Sequence, residues 1–177
     1  KEDFLSTYKH KKYGYKALDI YGKYGWLPLK ANSFIASIVG HLMGDGNLSK
    51  DRMVGDFRFY GSFLKLDKIR SNLEKNFGIR PHSCYVHPKG GGYILKYNNS
   101  VFSRVLELVG VPRGNKILTS FKVPKWIMCG TKELKKSFLS SLFTDEMGRL
   151  VNTKKNTWKG LEFGMSKIRS KSTCLIS

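Results

Sequence analysis

The stretch "IVGHLMGDGNL" (Ile38 to Leu48) constrains this chain more than any other, because "LSSLFTDEMGRL" (Leu139 to Leu150) reads as a worn second copy. Each is an apolar helical run threaded with small residues and closed by acid. Ala36, Gly40 and Gly44 recur every fourth residue, as do Ser137 and Ser141, so each set lies on one helical face. A face stripped of side chains lets two backbones approach closely, whereas a glycine merely tolerated in a buried helix costs about 1 kcal/mol relative to alanine. The pattern predicts two helices packed side by side, parallel about a pseudo-twofold, with Asp45 and Glu146 at neighbouring ends. Two carboxylates at the negative ends of two helix dipoles repel each other unless a cation or a shared proton compensates. Hard oxygen ligands of this kind suit Mg²⁺, with Mn²⁺ as a substitute, completed by water and phosphate oxygens. Taken alone, Asp45 reads as an Asp-Gly turn after a helix; Glu146 beside it changes that reading.

Charge supplies the phosphate. The 177 residues carry 32 Lys plus Arg against 13 Asp plus Glu, a formal +19, with 41% hydrophobic residues to fill one core or two similar lobes. A folded chain so basic points to a polyanion, with nucleic acid ahead of an anionic membrane surface or a ribosomal setting. No apolar run approaches the roughly 20 residues that span a bilayer, and no signal peptide opens the chain, so no membrane partner is expected. Cys84, Cys129 and Cys174 are widely spaced and odd in number, which argues against a disulfide framework or zinc site and for an intracellular, reducing compartment.

Three segments follow from the pattern. Residues 1–31 form a basic, aromatic N-terminal arm, read either as lysines and rings lying on nucleic acid or as an amphipathic helix docked by its aromatics. Residues 32–130 hold a first unit and its connection. Asn32 or Ser33 caps a helix that Gly44 and Gly46 end; "GDFRFYGS" alternates as a strand; and Phe63 to Gly78 is a helix burying Leu64, Ile69, Leu73 and Phe77. Two strands about Gly90, Gly91 and Gly92 follow, then a capped helix from Ser100 to Gly110. The expected order is helix, strand pair, helix, strand pair, helix. Residues 131–177 begin a second unit, in which "LEFGMS" (Leu161 to Ser166) echoes "FRFYGS", and which ends before its last strand pair and helix.

These residues resemble the LAGLIDADG homing endonucleases. "IVGHLMGDG" is similar to their nine-residue motif, "LSSLFTDEM" to its second copy, and "VGVPRGNKILTSFKVPKWI" (Val109 to Ile127) to the segment joining the repeats of single-chain members. The resemblance implies an α+β fold of αββαββα repeats, here with the second truncated, whose antiparallel sheets form a saddle on double-stranded DNA. It implies a pseudo-dimer within one chain, monomeric when complete, and metal-assisted hydrolysis of both strands at a long asymmetric site. Asp45 and Glu146 would bind the metal, and Lys116 would match a basic residue near the reacting phosphate. Met147 departs from the motif's glycine. On the saddle, alternation makes Arg58, Tyr60, Lys96, Asn98, Lys154, Asn156 and Lys159 candidates for DNA contact, since a two-stranded ribbon fits a major groove about 12 Å wide. His41, His82 and His87 lack metal-ligand spacing and read as structural or surface residues. Two other readings stand beside the endonuclease: an RNA-binding intron maturase or cleavage-inactive binding protein on the same fold, and an inactive relic or ribosome-associated basic protein.

Overall fold

A computed structural model describes residues 2–26, 29–116, 118, 120–146, 152–153 and 157–158. The fold is α+β, with helices on one face of a small antiparallel sheet. Its central helix spans Ser33–Met43 (α3, following α1 at Glu2–Ser6 and α2 at Lys11–Tyr24). Asn32 caps it, its side chain accepting from the Ile35 amide at 2.9 Å. Its end is closed by the Gly44 and Gly46 amides donating to Gly40 and His41 carbonyls at 2.8 and 2.9 Å. Ile35, Ala36, Ile38, Val39, Leu42 and Met43 are all buried, so this helix faces protein on most sides.

The sheet is built from Asn47–Leu48 (β1), Asp56–Gly61 (β2), Ser83–Val86 (β3) and Tyr93–Asn98 (β4), in the order β1-β2-β4-β3. Residues directly opposite share a face, and the register sorts them cleanly. Phe57 pairs with Tyr97 and Phe59 with Leu95, all buried toward the helices; Phe57 and Tyr97 rings stack at 4.9 Å. Arg58 pairs with Lys96 and Tyr60 with Ile94 on the other face. The hairpin joining β3 to β4 turns through Gly90 and Gly91 at φ 76° and 85°, a conformation that side-chain-bearing residues rarely adopt.

Helices Phe63–Phe77 (α4) and Ser100–Leu108 (α5) cover the inner face. In α4 the buried residues are Leu66, Ile69, Leu73 and Phe77, while Leu64 is 75% exposed. The sequence expectation for Leu64 is therefore wrong by two residues. At about 100° per residue, Leu64 lies some 200° from Leu66 and points to solvent. The order α3, β1-β2, α4, β3-β4, α5 follows the expected alternation of helices and strand pairs.

The N-terminal residues form docked helices rather than a loose arm. Phe4, Ala17, Tyr21 and Trp26 are buried, with Phe4 and Tyr21 ring centroids 4.5 Å apart and the Trp26 indole donating to the Phe77 carbonyl at 2.8 Å. Beyond α5, Lys125–Met128 (α6) leads into Lys132–Glu146 (α7), which buries Leu134, Phe138, Ser141 and Leu142. An antiparallel pair follows, Asn152–Thr153 (β5) with Thr157–Trp158 (β6). The second strand expected at Leu161 to Ser166 lies outside the described residues. Among the described residues no helix is long and apolar enough to cross a membrane.

Candidate functional site

The most extensive contact between any two elements is that of α3 with α7. Gly40 is its tightest point: a Cβ there would lie 2.5 Å from the Phe138 carbonyl oxygen and 3.0 Å from Ser141 Cβ. One step along, the Ser37 and Ser141 hydroxyls share a hydrogen bond of 2.8 Å. Of the small residues picked out by spacing, Gly40 and Ser141 meet at this contact, and it is Ser37 that hydrogen-bonds Ser141. Asp45 follows α3 in an exposed turn, and Glu146 is the last residue of α7, its side chain lying outside the described part.

Asp45 and Tyr60 line two adjoining clefts. One, of about 500 Å³, also takes in Asn47, Ser49, Lys50, Asn115 and Lys116; the other, of about 380 Å³, takes in His87, Gly90 to Gly92 and Tyr93. Lys116 stands at the end of α3, its ammonium donating to the Leu42 carbonyl at 3.0 Å, the Met43 carbonyl at 3.3 Å and the Gly44 carbonyl. A cation on the last carbonyls of a helix offsets its dipole. The field that disfavours a carboxylate at Asp45 is therefore partly neutralised by the protein itself, a compensation the sequence argument assigned entirely to a metal or a proton.

Lys116 is held there by a half-buried clamp. Arg113 donates to Glu107 at 2.7 Å, to the Ser49 carbonyl at 2.8 Å and to the Ser103 carbonyl at 3.0 Å, while the Gly114 amide donates to Leu48 at 2.7 Å. Arg113 stitches α5, the loop after β1 and the segment bearing Lys116 together. Two further bases feel Asp45. Burial lowers the Lys65 ammonium, with the Asp45 charge opposing; burial and then the Lys65 charge lower His41 to about 4, with Asp45 again opposing.

His41 is thus held neutral, as its structural reading requires, and this has a pH consequence. Its folded pKa lies below the ordinary value of about 6.5, so the unfolded chain takes up the proton first. The stability is complete above that value and is lost as pH falls toward 4. In metal-free urea titrations the wild type should lose up to about 1.4 kcal/mol per pH unit more than His41→Gln across this window. Parallel slopes for the two proteins would refute a neutral buried His41.

On the outer sheet face the register lines up Asn47, Arg58, Lys96 and Ser83 across all four strands. Arg58, Tyr60, Lys96 and Asn98 therefore share the face that alternation assigned them. Asp56 on the same face went unrecognised: its carboxylate receives Arg58 at 2.5 Å and lies 3.6 Å from the Lys96 ammonium. The bond to Asp56 raises the Arg58 pKa still further and fixes the guanidinium's direction. Lys154, Asn156 and Lys159 lie outside the described residues.

Among the described residues no three His, Cys, Asp or Glu side chains cluster as a metal cage. A hard cation takes one or two carboxylates and draws its remaining ligands from water and phosphate. Asp45, exposed in a cleft whose other charged groups are Lys50 and Lys116, is a donor of that kind.

No protein-family model matches the chain. The chain is 30% identical over 135 residues to a tRNA-splicing ligase RtcB of Methanopyrus kandleri, covering 70% of this chain and 14% of that protein. It is 32% identical over 146 residues to the Replication factor C small subunit of Methanocaldococcus jannaschii, covering 77% of this chain and 8% of that protein. With the DNA-directed RNA polymerase subunit Rpo1N of the same organism, identity is 28% over 162 residues, covering 80% and 12%. Matches of such breadth on one chain must overlap, so three proteins of unrelated names share a common stretch that is a small fraction of each.

Proposed function

We propose that this chain is a LAGLIDADG-type endonuclease that hydrolyses both strands of duplex DNA with a divalent metal. The observation that carries the reading is the symmetry of the α3 and α7 contact. The shift that sets Asp45 on Glu146 also sets Gly40 on Ser141 and Ser37 on Phe138. Under it, the contact of Ser37 with Ser141 and that of Gly40 with Phe138 exchange places. An interface in which i meets j while j meets i is isologous, the relation expected of two repeats about a twofold. Each of the two helices ends in or beside an acid.

The relatives support the same reading from another side. A stretch common to a ligase, a replication factor subunit and a polymerase subunit supplies none of those activities in common, which suits a module with chemistry of its own. In the proposed reaction Asp45 and Glu146 would hold the Mg²⁺, which would supply charge stabilisation at the scissile phosphate. Lys116, anchored on α3 and clamped through Arg113, presents positive charge at the cleft. Arg58, Tyr60, Lys96 and Asn98 face the groove, with Asp56 orienting the first and third.

Two measurements test this. Incubation with a randomised duplex library and Mg²⁺ should select and cut a long asymmetric site. Affinity for that site should fall with salt at a logarithmic slope of about −5, for about six phosphate contacts. A flat salt dependence would remove nucleic acid as the partner. Specific binding without cutting would favour the cleavage-inactive alternative.

A further inference from the structure

The lead-in helix carries a surface that neither the sheet nor the Asp45 cleft uses. Helix α2 is fixed to the body through Ala17 and Tyr21, and Trp26 just beyond it is anchored on Phe77. At about 100° per residue, its outward residues fall into neighbouring rows. Tyr13 and Tyr24 form one row, Lys16 and Lys23 another, with exposed Ile20 between the two rows and Lys12 and Asp19 beyond the lysines. Tyr13 is 58% and Tyr24 49% exposed. The Tyr24 ring stacks on Trp26 at a centroid distance of 5.1 Å and an interplanar angle of 22°, which fixes its plane. Beside it opens a cleft of about 340 Å³ lined by Lys23, Tyr24 and Arg80, the last held by Glu74 at 2.8 Å.

We infer that this flank of α2, together with Arg80, binds unpaired nucleotides of a single-stranded nucleic acid. Lysines and an arginine suit phosphates. The exposed tyrosine rings, that of Tyr24 held in plane by Trp26, decide which nucleic acid. Bases within a duplex have both π faces covered by their neighbours, so a tyrosine ring gains a stacking partner only where bases are unpaired. The two rings are eleven residues apart on one helix, about 16 Å along its axis, a span for several nucleotides. Duplex recognition by the sheet uses other residues, so the inference stands or falls independently of the endonuclease reading.

The test uses the full chain and fluorescein-labelled oligomers of about a dozen deoxyuridines or uridines, followed by anisotropy. The wild type should bind at least one of them, and the preferred sugar identifies DNA or RNA. Stacking contributes about 1–3 kcal/mol per base, so Tyr13→Ser with Tyr24→Ser should weaken binding at least about tenfold. Lys16→Gln with Lys23→Gln, confined to exposed side chains, should do the same if the tyrosine variant is impaired in folding. Duplex affinity should stay within about twofold in both. The proposal is overturned if neither oligomer binds, if duplex and single-strand affinity fall together, or if single-strand binding is lost in Lys96→Gln while the α2 variants retain it.

Discussion

If the proposed reading holds, Asp45→Asn should abolish strand cleavage in Mg²⁺ while leaving duplex binding intact. The substitution keeps the size and most of the hydrogen bonding of the side chain but removes its negative charge. A ligand that helps hold a cation contributing several kcal/mol to the transition state is worth about a thousandfold or more in rate. In the proposed reading binding would rest instead on the basic sheet face, and losing one negative charge beside DNA phosphate should tighten it slightly. Glu146→Gln should behave in the same way if the two repeats are equivalent. Ca²⁺, which prefers looser and higher coordination, should support wild-type binding with little cutting. Nicking and double-strand cleavage of a selected target are measured beside gel-shift affinity for that target. Cleavage retained in the double substitution would take both carboxylates out of the mechanism and leave the lysines around Asp45 with a binding role only.

That experiment also distinguishes two accounts of Asp45 that sequence alone runs together. Placed at the negative end of a helix, a carboxylate calls for a compensating positive charge. The Lys116 ammonium on the carbonyls of Leu42, Met43 and Gly44 supplies much of that compensation without a metal. If Asp45 serves only to balance Lys116 and Lys65, its neutralisation lowers stability and spares catalysis. If it holds the metal, the reverse ordering is observed.

Local rules made some of this legible and distance hid the rest. Asn32, Gly44 and Gly46 bracket α3 because caps and stops act within a few residues. The outer face of Arg58, Tyr60, Lys96 and Asn98 followed from strand alternation alone, which needs no partner to be known. The N-terminal helices were undecided because their anchors, Phe77 and the Val101 carbonyl that accepts from the Tyr21 hydroxyl at 3.3 Å, lie far along the chain. Leu64 was misplaced since an apolar residue in the first turn fits two registers of the helical period. Lys116 was found by resemblance, but its carbonyl partners leave no mark in composition or spacing. Asp56 and Arg113 were missed for the same reason: one reads as an ordinary strand acid, the other as one more base in a very basic chain.

The closest approach of α3 to α7 gives an equally large effect on stability. Gly40→Leu is expected to destabilise the fold by about 3 kcal/mol or more, the upper range of overpacking. Even a methyl group there meets the Phe138 carbonyl oxygen at 2.5 Å and the Leu142 amide nitrogen at 3.3 Å, backbone atoms that no rotamer change removes. The helices must separate, and the hydroxyl pair of Ser37 and Ser141 at 2.8 Å separates with them. Gly40→Ala should therefore also be destabilising, although alanine is intrinsically the better helix former by about 1 kcal/mol. Gly22 in α2 is the control, because nothing lies within 4 Å of a Cβ built there. Gly22→Ala should raise stability by about 0.5–1 kcal/mol. Urea midpoints read by circular dichroism compare the three proteins with the wild type. Opposite signs for the same glycine-to-alanine change locate the constraint in the helix interface and not in helix propensity. A Gly40→Leu protein with the wild-type midpoint would mean that α3 and α7 do not meet at this residue, and the symmetric pairing on which the two-repeat reading depends would go with it.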